Sequence, residues 1–144
     1  MADFLKVSVT GNIDAALDRF TSEIQSKVAR AGAQEMAQVV YEAAKQNAPV
    51  GDTVRVKKGS GRVIRPGALR DSIYQVFSLD NSNDNLKTYH VGWNRKKAPH
   101  GHLIEFGTSR MAARPFLYPA YEQNKGRLIE AANAKMAQVL KEIK

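Results

Sequence analysis

The sequence predicts an α+β fold in which two amphipathic helices pack on a small antiparallel sheet. Three observations carry this expectation: a long stripe of apolar residues at helical spacing near the start, a block rich in aromatic and β-branched residues in the middle, and a second helical stripe at the end. With 144 residues and 43% apolar content the chain reads as one domain, 1–144, able to bury a core without staples.

Leu5, Val7 and Val9 alternate with Lys6, Ser8 and Thr10 ahead of Gly11, the period of a short half-buried strand. From Asn12, a good N-cap, apolar residues recur at Ile13, Leu17, Phe20, Ile24, Val28, Met36, Val40 and Ala44, until Asn47-Ala48-Pro49 ends the pattern. Gly32 marks a candidate bend. About 35 helical residues span roughly 50 Å, longer than so small a domain covers with its own core, so part of this helix is expected to face a neighbour.

Between residues 52 and 66 the character changes. Val54 and Val56 alternate with Arg55 and Lys57, Gly59-Ser60-Gly61 supplies a turn, and Arg62-Val63-Ile64-Arg65 returns. The segment reads as a projecting basic hairpin or a mobile loop. Residues 72–79 and 86–93 then form a second hairpin around the turn-forming run Asp80-Asn81-Ser82-Asn83-Asp84-Asn85. The run 100–106 closes on Gly107 as a short helix. Pro115 and Pro119 bracket Phe116-Leu117-Tyr118, and Tyr121, Leu128, Ala132, Met136, Val139 and Ile143 trace the final helix.

Composition excludes several chemistries. There is no cysteine, hence no disulfide, thiolate nucleophile or thiolate metal site. The opening residues lack a basic start followed by a long apolar run, and no stretch approaches the roughly 18 apolar residues of a membrane span, so a soluble, unprocessed chain is expected. The formal net charge of +8 makes an anionic partner attractive, whether nucleic acid or an acidic protein face.

Candidate chemistry is sparse. His100, His102 and Glu105 are ligand types for zinc, but histidines two apart do not share a helical face, and polar packing or capping is the simpler reading. Thr108 and Ser109 lack the sharp Gly-x-Ser-x-Gly turn of a nucleophile elbow. Glu105 and Arg114 are placed to form an ion pair that fixes the loop joining them. Arg55, Lys57, Lys58, Arg62 and Arg65 concentrate five cations, suited to a phosphate backbone, an acidic protein groove or plain solvent; no aromatic residue interleaves them to stack on bases.

Two stretches carry a resemblance. Ala48-Pro49-Val50 precedes Gly67-Ala68-Leu69-Arg70-Asp71-Ser72-Ile73, and Pro99-His100-Gly101-His102-Leu103-Ile104-Glu105-Phe106-Gly107-Thr108 precedes Ala113-Arg114-Pro115-Phe116-Leu117-Tyr118-Pro119-Ala120. Together they resemble the phage tail-completion or head-tail joining proteins of lambdoid siphophages and related prophages. The resemblance covers most of the chain apart from 52–66.

It implies a structural protein of the virion neck, made in the host cytoplasm, that completes the head-proximal end of the tail near the DNA channel. Its partners would be the tail terminator, tube or connector proteins and other copies of itself in a ring, six-fold to match the tail. It implies no cofactor, no metal and no catalytic residue. Pro49, Leu69, Ser72, His102, Glu105, Phe106, Gly107, Arg114, Pro115, Phe116 and Pro119 are the motif positions, read as fold determinants, with Leu103, Phe106, Phe116 and Leu117 expected to bury apolar area. The basic segment, outside the shared pattern, is the candidate interface, by strand addition to a neighbour. The alternative is a non-specific nucleic-acid-binding module using residues 55–65.

Overall fold

In a computed structural model, residues 13–51, 54–84 and 86–143 are described, with the side chains of 13–16 set aside. The strand expected at Leu5–Val9 and the Asn12 cap lie outside these residues. Along the chain run α1 (Ile13–Asn47), β1 (Arg55–Val56), β2 (Val63–Ile64), α2 (Ala68–Ser72), β3 (Ile73–Phe77), β4 (Tyr89–Trp93), α3 (Gly101–Phe106) and α4 (Leu117–Glu142). The α+β expectation holds, with one difference: the described strands form two separate antiparallel pairs, β1–β2 and β3–β4, rather than a single sheet.

α1 is the organising element. α4 lies antiparallel along it, since the Asn47 side-chain amide reaches the Phe116 carbonyl at one end while Gly32 faces Met136 further along. A Cβ at Gly32 would lie 2.9 Å from Met136 Cγ, so the glycine lets the two helices approach, and α1 runs through it as one helix. β3 and β4 pack on α1 in the register Ile73↔Trp93, Gln75↔Val91 and Phe77↔Tyr89. Ile73 is buried on the α1 side, whereas Tyr74 and Val76 face solvent, the alternation that a sheet covered on one face requires. Arg30 of α1 stacks over Phe77 at 4.2 Å, and the Gln75 amide donates to Gln38, so contacts beyond apolar packing also tie the hairpin to the helix.

The core gathers where α1 ends. Ala44, Ala48, Leu69, Ile73, Ala98, Phe116 and Ala120 are buried together, with Val40, Val91, Trp93 and Leu117 packed around them. Small residues on α1 and α4 leave room for the largest fully buried side chains, Phe116 and Leu69. Trp93 meets Phe116 edge to face at 5.6 Å. Away from this core α1 is less covered: Leu17 and Phe20, in its first turns, are exposed, in line with a helix longer than its own packing uses.

Candidate functional site: a capped corner and a basic cleft

The motif residues converge on the corner where α2, α3 and α4 meet the core. Leu69 fills the core, Ser72 donates its hydroxyl to the Leu69 carbonyl at 2.6 Å, and Ile73 follows inward. The Gly-x-Leu-Arg-x-Ser-Ile pattern is thus one buried helical turn leading into a strand. Arg70 within it is exposed and pairs only with its neighbour Asp71, an exposed pair that adds little.

Glu105 does not pair with Arg114, as its position had suggested. Its carboxylate is buried and accepts three backbone N–H groups, from Phe116 (2.8 Å), Leu117 (3.1 Å) and Tyr118 (3.0 Å). These are the Ncap, N1 and N2 positions of α4. A helix start leaves four N–H donors without an intrahelical acceptor, and the fourth position here is Pro119, which has no N–H to satisfy. All four are therefore accounted for by one carboxylate from α3 and one proline, and the negative charge sits at the positive end of the helix dipole. The ion pair fails because buried N–H donors outcompete a guanidinium that can stay hydrated: Arg114 is exposed and attaches to α3 only through its own N–H, donated to the Ile104 carbonyl.

Gly107 ends α3 at φ 76°, where a Cβ would lie 2.7 Å from the Ala113 nitrogen. The chain then folds back through a tight turn in which Thr108 and Met111 exchange backbone hydrogen bonds, returning Arg114 to α3. Gly101, at the other end of α3, lies beneath the Trp93 indole, and any Cβ there would overlap the ring. Neither Trp93 nor Gly101 stood out as a determinant in the sequence; the lone tryptophan two residues after a strand valine was the available signal.

The apolar expectations divide. Phe116 is fully buried and Leu117 half-buried, but Phe106 is 77% exposed and Leu103 40%. α3 spends its inward face on Gly101, Ile104 and Glu105, which leaves 103 and 106 pointing out. Phe106, Tyr118 and Tyr121 consequently form an exposed aromatic rim beside Val91 and Trp93. His102 is exposed, and Glu105 is committed to backbone donors. His100 is separated from them in role: its imidazole is partly buried, and burial first, then Arg55 and Arg62, lower its pKa from the ordinary value of 6.5.

Residues 54–66 form the hairpin, with Arg55 opposite Ile64 and Val56 opposite Val63. Arg62 anchors it by donating to the Lys97 carbonyl at 3.1 Å, in a turn that Asn94 organises by accepting from the Lys96 and Lys97 N–H groups. Arg55 and Ile64 face inward over a cleft of about 360 Å³ that runs between Pro49, α3 and the 107–114 turn, where Arg65 and Arg114 join them. Val54, Val56 and Val63 are exposed on the outside, as are Lys57 and Lys58. The five basic residues are therefore not one patch: Arg55 and Arg65 border the cleft, Arg62 is an anchor, and the lysines crown the turn. Among the described residues none of the five forms an ion pair.

Family comparison takes in the basic hairpin together with α2 and α3, although the sequence resemblance leaves 52–66 outside the shared pattern, and it stops short of Arg114, Phe116 and α4. A family model described as "Bacteriophage HK97-gp10, putative tail-component" matches residues 12–107, from the start of α1 to the glycine that closes α3. The chain belongs to this HK97-gp10-like family of phage tail components. No curated protein and no solved structure matches it. As a tail component it works alongside other tail proteins, and no described helix is long and apolar enough to cross a membrane.

Proposed function

We propose that this protein is a non-enzymatic structural component of the phage neck, which completes the head-proximal end of the tail and helps join it to the head. The observation that carries the reading is the state of Glu105, the most enzyme-like residue of the motif: its carboxylate is occupied by the α4 N-terminus. The motif residues build a rigid corner, and what the molecule offers outward is the basic hairpin with its exposed valines, suited to a protein neighbour by strand addition and charge. In this reading copies sit in a ring around the tail axis, six-fold if they follow tail symmetry, against terminator, tube or connector proteins.

The test is removal of residues 52–66 with a short glycine link, in the purified protein and in the phage. The expected result is a folded variant by circular dichroism and thermal melting, with heads and tails that accumulate unjoined by electron microscopy. Intact virions, or a variant that fails to fold, overturn it. The nucleic-acid alternative predicts duplex binding by the full chain that weakens about tenfold or more between 50 and 200 mM salt and vanishes in the deletion.

A further inference from the structure

The cleft under the basic hairpin has an unusual make-up. Ile64 and the partly exposed Leu103 and Met111 give it apolar lining, and Arg55, Arg65 and Arg114 line it as well. Among the described residues no carboxylate lines it, and none of the three guanidinium groups has an ion pair. Like charges held around an apolar hollow repel one another, and a ligand with an apolar body flanked by carboxylates relieves that repulsion while it covers the apolar lining. Burial, then Arg55 and Arg62, disfavour the charged form of His100 beside the cleft.

The same chain carries such a group elsewhere. At the tip of the β3–β4 hairpin Leu79 is 78% and Leu86 56% exposed, next to Asp80 and Asp84, neither of which forms an ion pair among the described residues. The tip is held in shape by its own polar contacts: the Asn81 amide donates to the Ser78 hydroxyl at 2.8 Å, Thr88 donates its hydroxyl to the Asn81 carbonyl at 2.7 Å, and the Ser82 hydroxyl accepts the Thr88 N–H at 2.9 Å. A preformed knob loses little conformational freedom on docking. The tip stands beside Ser26 and Arg30 of α1, whereas the cleft adjoins Pro49 just past the helix end; about 20 helical residues, roughly 30 Å, separate them. A molecule therefore cannot seat its own tip in its own cleft.

We propose that the arginine-lined cleft receives the Leu79/Asp80/Asp84/Leu86 hairpin tip of a second copy of this chain, leucine on the apolar lining and aspartates on the arginines. The contact is head-to-tail, leaving one tip and one cleft open at the ends of any chain of copies, so that it closes only as a ring. It shares Arg55 and Arg65 with the interface proposed above and deepens that reading by naming the neighbour.

The absence of native cysteine makes the contact trappable in the full chain. The double variant Leu79→Cys/Met111→Cys is expected to form a ladder of disulfide-linked oligomers on mild oxidation, and the control Leu79→Cys/Tyr74→Cys is not. Onto the trapping variant, Arg55→Glu/Arg65→Glu or Asp80→Arg/Asp84→Arg is each expected to cut the ladder about tenfold or more, and mixing the two charge-reversed proteins to restore it. Both substitution sets lie on exposed side chains, and circular dichroism verifies that they fold. No ladder above the control, or a ladder indifferent to charge reversal, overturns the proposal. So does a cleft reversal that abolishes duplex DNA binding while the ladder persists, which would give the cleft to phosphate. Since the assay uses purified protein, its failure leaves the neck assignment to the deletion experiment.

Discussion

The Glu105 corner and the basic hairpin lie within a few residues of each other in space, yet they treat charge in opposite ways. At the corner a single buried carboxylate is surrounded by three N–H donors, and a proline removes the fourth demand. Across the cleft, three arginines stand without an ion-pair partner among the described residues. Burial forces polar groups to be satisfied locally, and a surface that leaves charges unmatched retains the capacity to match them with something else. The contrast separates what this chain needs to fold from what it has left over for assembly.

The largest effects should fall on the corner. Phe116→Ala removes the fully buried ring on which Trp93 packs and is expected to cost about 3–5 kcal/mol in chemical denaturation. Glu105→Ala leaves buried N–H groups without an acceptor at the head of α4 and is expected to cost about 2–3 kcal/mol, with Glu105→Gln recovering part of the loss because an amide oxygen still accepts. If Glu105 acted instead through Arg114, Arg114→Ala would destabilise equally; the structure predicts a change within about 0.5 kcal/mol for that exposed side chain. In the hairpin, Arg55→Ala with Arg65→Ala should likewise leave the unfolding midpoint almost unmoved while it reduces assembly, and a large loss of stability there would erase the distinction between the two regions.

The smallest expected effect is on pH. His100 has its folded-state pKa below the unfolded value of 6.5, so the native state binds fewer protons than the unfolded chain in the interval beneath 6.5. Stability is full above 6.5 and declines as pH falls through that interval. NMR titration should place the His100 midpoint below 6.5, and Arg55→Ala should raise it part of the way, since burial is the larger cause.

Much of this division was legible in the chain. Helical spacing announced α1 and α4, and turn residues announced the 72–93 hairpin while leaving 52–66 as a hairpin or a loop, because periodicity follows from which face must be buried. The exposure of Phe106 was not legible: an aromatic next to Glu105 looks like core until α3 is seen to turn Gly101, Ile104 and Glu105 inward. Nor was the partner of Glu105, since sequence proximity favoured Arg114, whereas the winning acceptors' mates are backbone groups that carry no residue signature. The cleft joins Arg65, Met111 and Arg114 across some fifty residues of chain, and only the fold brings them together.

The cap also governs how α4 can come apart. Fraying from Leu117 would strand a carboxylate in the core, while the last turns around Leu140 carry no such penalty, so opening has a direction. Amide exchange along the helix should quicken steadily toward Ile143, which makes α4 a rod fastened at the corner and progressively looser toward the end that lies alongside the middle of α1.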